Sequence, residues 1–301
     1  RVELNKKVGL LGVIWSLQTE KPDFKVLPLE VPRGWPRFSE EWIDFLSWAG
    51  EYYQASPNRL VDVAIPSFAG ASQEELRPKR KREEPSLPDS SIGEVPPPLV
   101  EGQKRALAQI SPSLQSGYAP FLLHGVTGSG KTRLYAELIK EVVASGKCAL
   151  VLVPEIALTP QISDHFSKLT QLPVVLYHSG LSPGQRRENW RKVLAGEVKL
   201  LLGTRSASLL PLQNLGLIIV DEEHDSSYKQ EDPTPHYHAK DLLLWRARQL
   251  KIPIILGSAT PSLESRELVE QKKIRLVEMR ERIHNRPLPQ VELVDMKEVA
   301  R

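Results

Sequence analysis

The larger part of this sequence predicts a doubly wound α/β domain, a parallel sheet with helices on both faces, on three observations. From residue 99 onward, short apolar runs bounded by turns alternate with amphipathic helical stretches, which is how strands buried on both faces read. A glycine-rich loop joins the first of these runs to a helix. Acidic residues follow directly on a later run, at the carboxyl end of a strand, where open parallel sheets bind ligands.

Residues 1–67 precede that domain and read as a small, β-rich part. Val8–Leu17 and Phe24–Val31 are expected as strands, bounded by Pro22 and by Pro32-Arg33-Gly34. Ser39-Glu40-Glu41 then opens a helix, and Trp42, Phe45, Leu46, Ala49 and Tyr53 recur on it at helical spacing. That spacing favours a packed apolar face over a base-stacking surface. Residues 68–98 read as a linker, rich in Pro, Ser, Glu and Lys, because such composition buries too little surface to offset chain entropy. Its basic run, Arg77-Pro78-Lys79-Arg80-Lys81-Arg82, is expected to be a solvated face rather than a phosphate contact.

In the α/β part the expected strands are Phe121–Leu123, Ala149–Val153, Val174–Leu176, Leu200–Leu202, Leu217–Val220 and Ile254–Leu256. The helices between them are Arg133–Ser145, Thr159–Leu169, Pro183–Leu194 and Ala239–Leu250.

Composition narrows the classes further. The net charge of +3 leaves no bulk polycation, so nucleic acid must be met through local patches. Cys148 is the one cysteine, which excludes an internal disulfide framework and argues against a structural zinc site built on thiolates. His224, His236, His238 and Cys148 match no zinc spacing. The run Gly9–Leu17 is far short of the roughly 20 residues of a membrane helix. A cytoplasmic protein without membrane contact is expected, and a start at Arg1 suggests a piece of a longer chain.

Gly125-Val126-Thr127-Gly128-Ser129-Gly130-Lys131-Thr132 fits G-x-x-x-x-G-K-[ST], between a strand and a helix. Its glycines let backbone amides turn toward phosphate oxygens, and the helix N-terminus adds partial positive charge. Lys131 is expected at the β/γ-phosphates of ATP and Thr132 on Mg²⁺. Asp221-Glu222-Glu223-His224 ends the strand Leu217–Val220 as a Walker B element, with Asp221 for Mg²⁺ and Glu222 for the attacking water. No Asn-Lys-x-Asp guanine-reading string occurs.

Asp221-Glu222-Glu223-His224 resembles the DExH box of superfamily 2 helicases, and Ser258-Ala259-Thr260 resembles their motif III. The chain from about Gln103 to about Met296 resembles more closely the bacterial primosomal helicases of the PriA family (primosomal protein N′). Asp221–Gln230, Gly257–Glu264, Val153–Gln161, His178-Ser179-Gly180 and Gly203–Ala207 carry that resemblance. Trp48–Tyr53 and the segments before it are similar to the end of the family's 3′ DNA-binding domain. The family's winged helix would follow, and only the Pro-rich linker stands there.

The resemblance implies a RecA-like first helicase lobe over residues 99–301, contact of His224 with Ser258, Ala259 and Thr260, and an adenine-reading role for Gln103. It implies DNA contacts at Thr204, Arg205, Tyr228, Lys229, Tyr237 and Lys240, the tyrosines stacking on single-stranded bases. Where the family usually reads Arg-Tyr-His-Ala-Arg-Asp, this chain has His236-Tyr237-His238-Ala239-Lys240-Asp241, which weakens phosphate holding there. Implied partners are branched and single-stranded DNA at replication forks, other primosome proteins and single-stranded DNA-binding protein, in the bacterial cytoplasm at the nucleoid. Implied activity is ATP-dependent 3′→5′ unwinding in replication restart. Because the second lobe, its arginine finger and a cysteine-rich zinc module are expected outside these residues, the chain alone is expected to bind ATP and hydrolyse it very slowly. The alternative is a DNA-binding scaffold with a vestigial ATP site, against which the intact Lys131, Thr132, Asp221 and Glu222 argue.

Overall fold

The computed structural model describes residues 38–65, 97–155, 160–232 and 235–283, the side chains of residues 57 and 58 excepted. The expected strands Val8–Leu17 and Phe24–Val31, nearly all of the linker, and residues 284–301 lie outside the described residues.

Two helices come first, α1 (Glu40–Tyr52) and α2 (Pro57–Ala64). Ser39 caps α1, its side chain accepting from Trp42 N, and Glu40 and Glu41 lie in the first turn, where the helix dipole favours acids. The chain resumes with α3 (Glu101–Ile110), β1 (Ala119–Gly125), α4 (Lys131–Ala144), β2 (Cys148–Leu152) and α5 (Pro160–Thr170). Next come β3 (Val174–Tyr177), α6 (Pro183–Leu194), β4 (Leu200–Gly203), a 3-10 turn at Arg205–Leu209, and β5 (Leu215–Val220). The short strands β6 (Lys229–Gln230) and β7 (Tyr237–His238) precede α7 (Ala239–Leu250), β8 (Pro253–Ser258), α8 (Leu263–Glu270) and β9 (Arg275–Met279).

Seven strands form one parallel sheet in the order β3-β4-β2-β5-β8-β1-β9, as expected of a RecA-like lobe. Alternate residues of each strand serve opposite faces. Phe121, Leu123, Val151 and Ile219 pack with α3, α4 and α5, whereas Leu122, Leu150, Ile218 and Leu256 pack with α6 and α7. All six expected strands are present. The seventh, β9, escaped the sequence reading because it is an edge strand buried on one side only: Val277 and Met279 face the core, Leu276 and Glu278 face water, and the Arg275 guanidinium lies over the Phe121 ring. It reads as mixed polarity rather than as an apolar run.

Helices α1 and α2 are part of the same packing. Trp42, Phe45, Leu46, Ala49, Leu60 and Ala64 are buried in the cluster that holds Trp190, Leu209, Leu243 and Ala247 of the sheet domain. Each large apolar side chain so buried contributes roughly 1.5–3 kcal/mol. Trp245 of α7 stacks on Trp48 at 4.3 Å between ring centroids and also faces Phe45, and the Arg246 guanidinium lies over the Phe45 ring. The aromatic stripe read from the sequence as a packed face is one, and what it packs on is the sheet domain.

Candidate functional site

The carboxyl ends of β1, β5 and β8 lie side by side in the sheet, and the loops that leave them build one site. Gly128 and Gly130 take φ of +81° and +79°, the left-handed region that glycine enters without a Cβ penalty. This lets the chain turn from β1 into α4 within the loop. A Cβ on Gly130 would also collide with the Gln103 amide. Lys131 is buried, and its Nζ donates to Gly125 O at 3.1 Å and lies 3.6 Å from the Glu222 carboxylate. Ser129 is buried with its Oγ unpartnered among the described residues, a hydroxyl free to meet an incoming acceptor.

Asp221 and Glu222 follow β5. Burial, and then the neighbouring Glu222 charge, push the Asp221 carboxyl up to about 6, while it accepts from Tyr135 Oη at 2.9 Å. A cation beside it would favour the charged form. Glu222 adopts φ +45°, a strained conformation for a glutamate of the kind concentrated at functional sites. His224 Nδ1 shares a 2.8 Å hydrogen bond with Ser258 Oγ, Thr260 N donates to the same hydroxyl at 2.9 Å, and Thr260 Oγ1 lies 3.4 Å from His224 Nε2. The contact expected between His224 and the Ser258–Thr260 segment is thus present, through Ser258 and Thr260.

These residues fit a magnesium-bound nucleoside triphosphate. A glycine loop at a helix start, a buried lysine, an unpartnered buried hydroxyl and two adjacent carboxylates are the donor set phosphates and a hard cation require.

Gln103 is buried beneath the loop. Its Oε1 accepts from Val100 N at 3.0 Å, and its Nε2 lies 3.2 Å from Gly130 O and 3.4 Å from Ser129 O. Its amide is spent on main chain, so in this conformation it braces the loop. From the other side Ile283 N donates to Gly128 O and Val126 N to Met279 O. This second strap was missed in the sequence, where no local pattern marks it.

The expected DNA contacts divide differently. Tyr228 and Tyr237 are 0% and 2% exposed, which leaves no ring face for a base in this conformation. Tyr228 Oη donates to Asp221 O at 2.5 Å, and burial pushes both hydroxyls well above their ordinary range. Lys240 is buried too, its Nζ 2.8 Å from the Glu223 carboxylate. Glu223 also accepts from Ser262 N, Ser262 Oγ and Ser265 Oγ. Burial alone would raise the Glu223 carboxyl, and these donors more than offset it and hold it below the usual range. Lys240 therefore closes a buried ion pair instead of presenting a charge to phosphate. Thr204 is buried, and its N–H donates to Tyr177 O. Arg205 Nη1 donates to Ser227 O at 3.1 Å and Lys229 O at 2.8 Å, gripping the β6 strand. Of the six, Lys229 alone is exposed, beside Glu231.

With this geometry in hand, the sequence profile of the DEAD/DEAH box helicases matches residues 101–269. The chain belongs to that family. A second profile, the PriA 3′DNA-binding domain, matches residues 1–66 of this helicase-family chain. The chain is 48% identical over 207 residues to the Replication restart protein PriA of Bacillus subtilis (strain 168), covering 68% of this chain and 26% of that protein. It is 34% identical over 289 residues to the Replication restart protein PriA of Rickettsia conorii, covering 95% of this chain and 42% of that protein. The chain thus spans less than half the length of these curated relatives. The structure of RecG bound to a three-way DNA junction superposes with a TM-score of 0.52 at 22% identity, over 68% of this chain and 27% of that one, a likeness of fold.

Proposed function

We propose that these residues are the ATP-binding first lobe and 3′ DNA-binding segment of a replication-restart helicase that moves 3′→5′ on single-stranded DNA. The observation that carries this is the linkage of two loops. Lys131 meets Glu222 on one side of the Walker B strand end, and His224 meets Ser258 and Thr260 on the other.

Gly125 to Thr132 would hold the phosphates, with Thr132 and Asp221 on the metal. Bound Mg²⁺·ATP supplies the phosphoanhydride and the charge that polarises it. Lys131 neutralises phosphate charge. Glu222, held in a strained backbone conformation, orients the attacking water and accepts its proton at a carboxylate oxygen. His224, Ser258 and Thr260 transmit a change at the acids to the loop after β8. DNA at forks is the substrate, with primosome proteins and single-stranded DNA-binding protein as partners in the cytoplasm.

The 301-residue chain by itself binds Mg²⁺·ATP and hydrolyses it slowly, because an arginine finger from a facing lobe is worth about 10³–10⁵ in rate. The test is an equilibrium titration of ATP and GTP analogues with and without Mg²⁺, beside a steady-state assay. Magnesium-dependent preference for ATP is expected. DNA-stimulated turnover on the order of 1 s⁻¹ or more would overturn the account of slow hydrolysis.

A further inference from the structure

The segment matched to the 3′ DNA-binding domain ends in α1 and α2, and α1 reaches the nucleotide lobe through polar bonds as well as apolar packing. At one end Trp42 Nε1 donates to Leu209 O at 2.8 Å, at the end of the 3-10 turn that begins with Arg205. At the other, His238 N donates to Tyr53 Oη at 3.2 Å, and Tyr53 Oη lies 3.4 Å from His238 O. Tyr53 thus engages both main-chain polar groups of one residue in β7. Burial holds that hydroxyl protonated, its titration pushed up to about 12.

Besides Tyr53, β7 is held by the buried Tyr237 side chain and by its continuation into α7 at Ala239. It is two residues long and pairs only through Lys229–His238 and Gln230–Tyr237 with a strand equally short. The partner strand leads straight to the acids: Lys229 follows Tyr228, whose hydroxyl donates to Asp221 O. Arg205 grips the same stretch at Ser227 O and Lys229 O. The pair that supports the Walker B turn is therefore held from two sides, and both holds run back to α1.

We propose that Tyr53 is a positioning residue through which DNA held by the N-terminal segment changes the nucleotide affinity of the lobe. The inference rests on the reading above that this chain binds both ATP and DNA.

The test uses the 301-residue chain and its Tyr53→Phe variant, which keeps the ring and removes the hydroxyl. A fluorescent non-hydrolysable ATP analogue is titrated with Mg²⁺, with and without a saturating single-stranded oligonucleotide bearing a free 3′ end. The ratio of the two dissociation constants is the coupling factor, typically about 5- to 150-fold where two sites communicate. The variant is expected to bring that factor to within about twofold of unity, with each ligand's affinity measured alone within about twofold of wild type. A merely structural hydroxyl would lower melting temperature or both affinities and leave the ratio intact. Glu51→Ala, at an exposed neighbour, should leave it intact as well. A Tyr53→Phe factor equal to wild type overturns the inference, and so does a wild-type chain that binds both ligands without coupling. A wild-type chain that binds neither ligand overturns the function proposed above, and the inference with it.

Discussion

The loop after β1 and the stretch between β5 and α7 were both read from motif strings, yet the structure uses them in opposite ways. In the first, the residues chosen for phosphate chemistry do face a common site. Gly128 and Gly130 take the conformation their type permits, Lys131 reaches Glu222, and Ser129 keeps a free hydroxyl. In the second, the aromatic and basic residues chosen for DNA are turned inward. Tyr228 holds Asp221, Lys240 neutralises Glu223, and Tyr237 lies buried. The difference lies in what each string encodes. A glycine pattern specifies backbone geometry, which is local. A tyrosine or a lysine specifies only a capacity, and its use depends on a partner elsewhere in the chain.

The largest expected effect tests whether the inward-turned stretch is structural. Lys240→Met leaves the Glu223 carboxylate buried without its ammonium, which typically costs about 3–5 kcal/mol. A urea denaturation midpoint measures it. Were Lys240 a phosphate ligand, stability would hold, and the salt dependence of DNA binding would instead drop by about one unit of slope. Next in size is Lys131→Ala in the nucleotide loop. Loss of a charged donor worth about 1.5–3 kcal/mol should weaken ATP-analogue binding roughly 10- to 100-fold, with the melting temperature little changed. A fluorescence titration beside a melting curve reads both. Equal nucleotide affinity in this variant would remove the loop from the site.

Much of this could be read before any coordinates. The five expected strands that are buried on both faces, the half-buried edge strand β3, the four helices between them and the two loop strings are contiguous signals, and each appears where its pattern put it. What stayed hidden depends on distant residues. β9 has one wet face, the brace at Gln103 requires Gly130, and the aromatic face of α1 finds Trp245 and Leu209 across more than half of the chain's length. Glu223 carried a weak signal, an extra acid inside the DExH string, but its partners Lys240, Ser262 and Ser265 come from two later elements.

A smaller effect probes the joint between α1 and the lobe. Trp42→Phe keeps most of the apolar burial and removes the indole N–H, leaving the buried Leu209 carbonyl without that donor. A loss of about 1–3 kcal/mol in stability is expected by denaturation, since an unsatisfied buried acceptor costs that much. An unchanged midpoint would mean that apolar contact alone fastens α1.

The smallest expected effect separates the two uses of tyrosine most directly. Tyr228→Phe preserves the ring and deletes only the hydroxyl that donates to Asp221 O. If the ring stacks on bases, this change should be silent in DNA affinity and in stability alike, because the stacking face is untouched. If the hydroxyl is a buried strut for the Walker B turn, stability should fall by about 0.5–1.5 kcal/mol while the affinity for single-stranded DNA stays put. A denaturation midpoint distinguishes the two, because both accounts leave DNA affinity unchanged and only the strut account has a term for the lost hydroxyl.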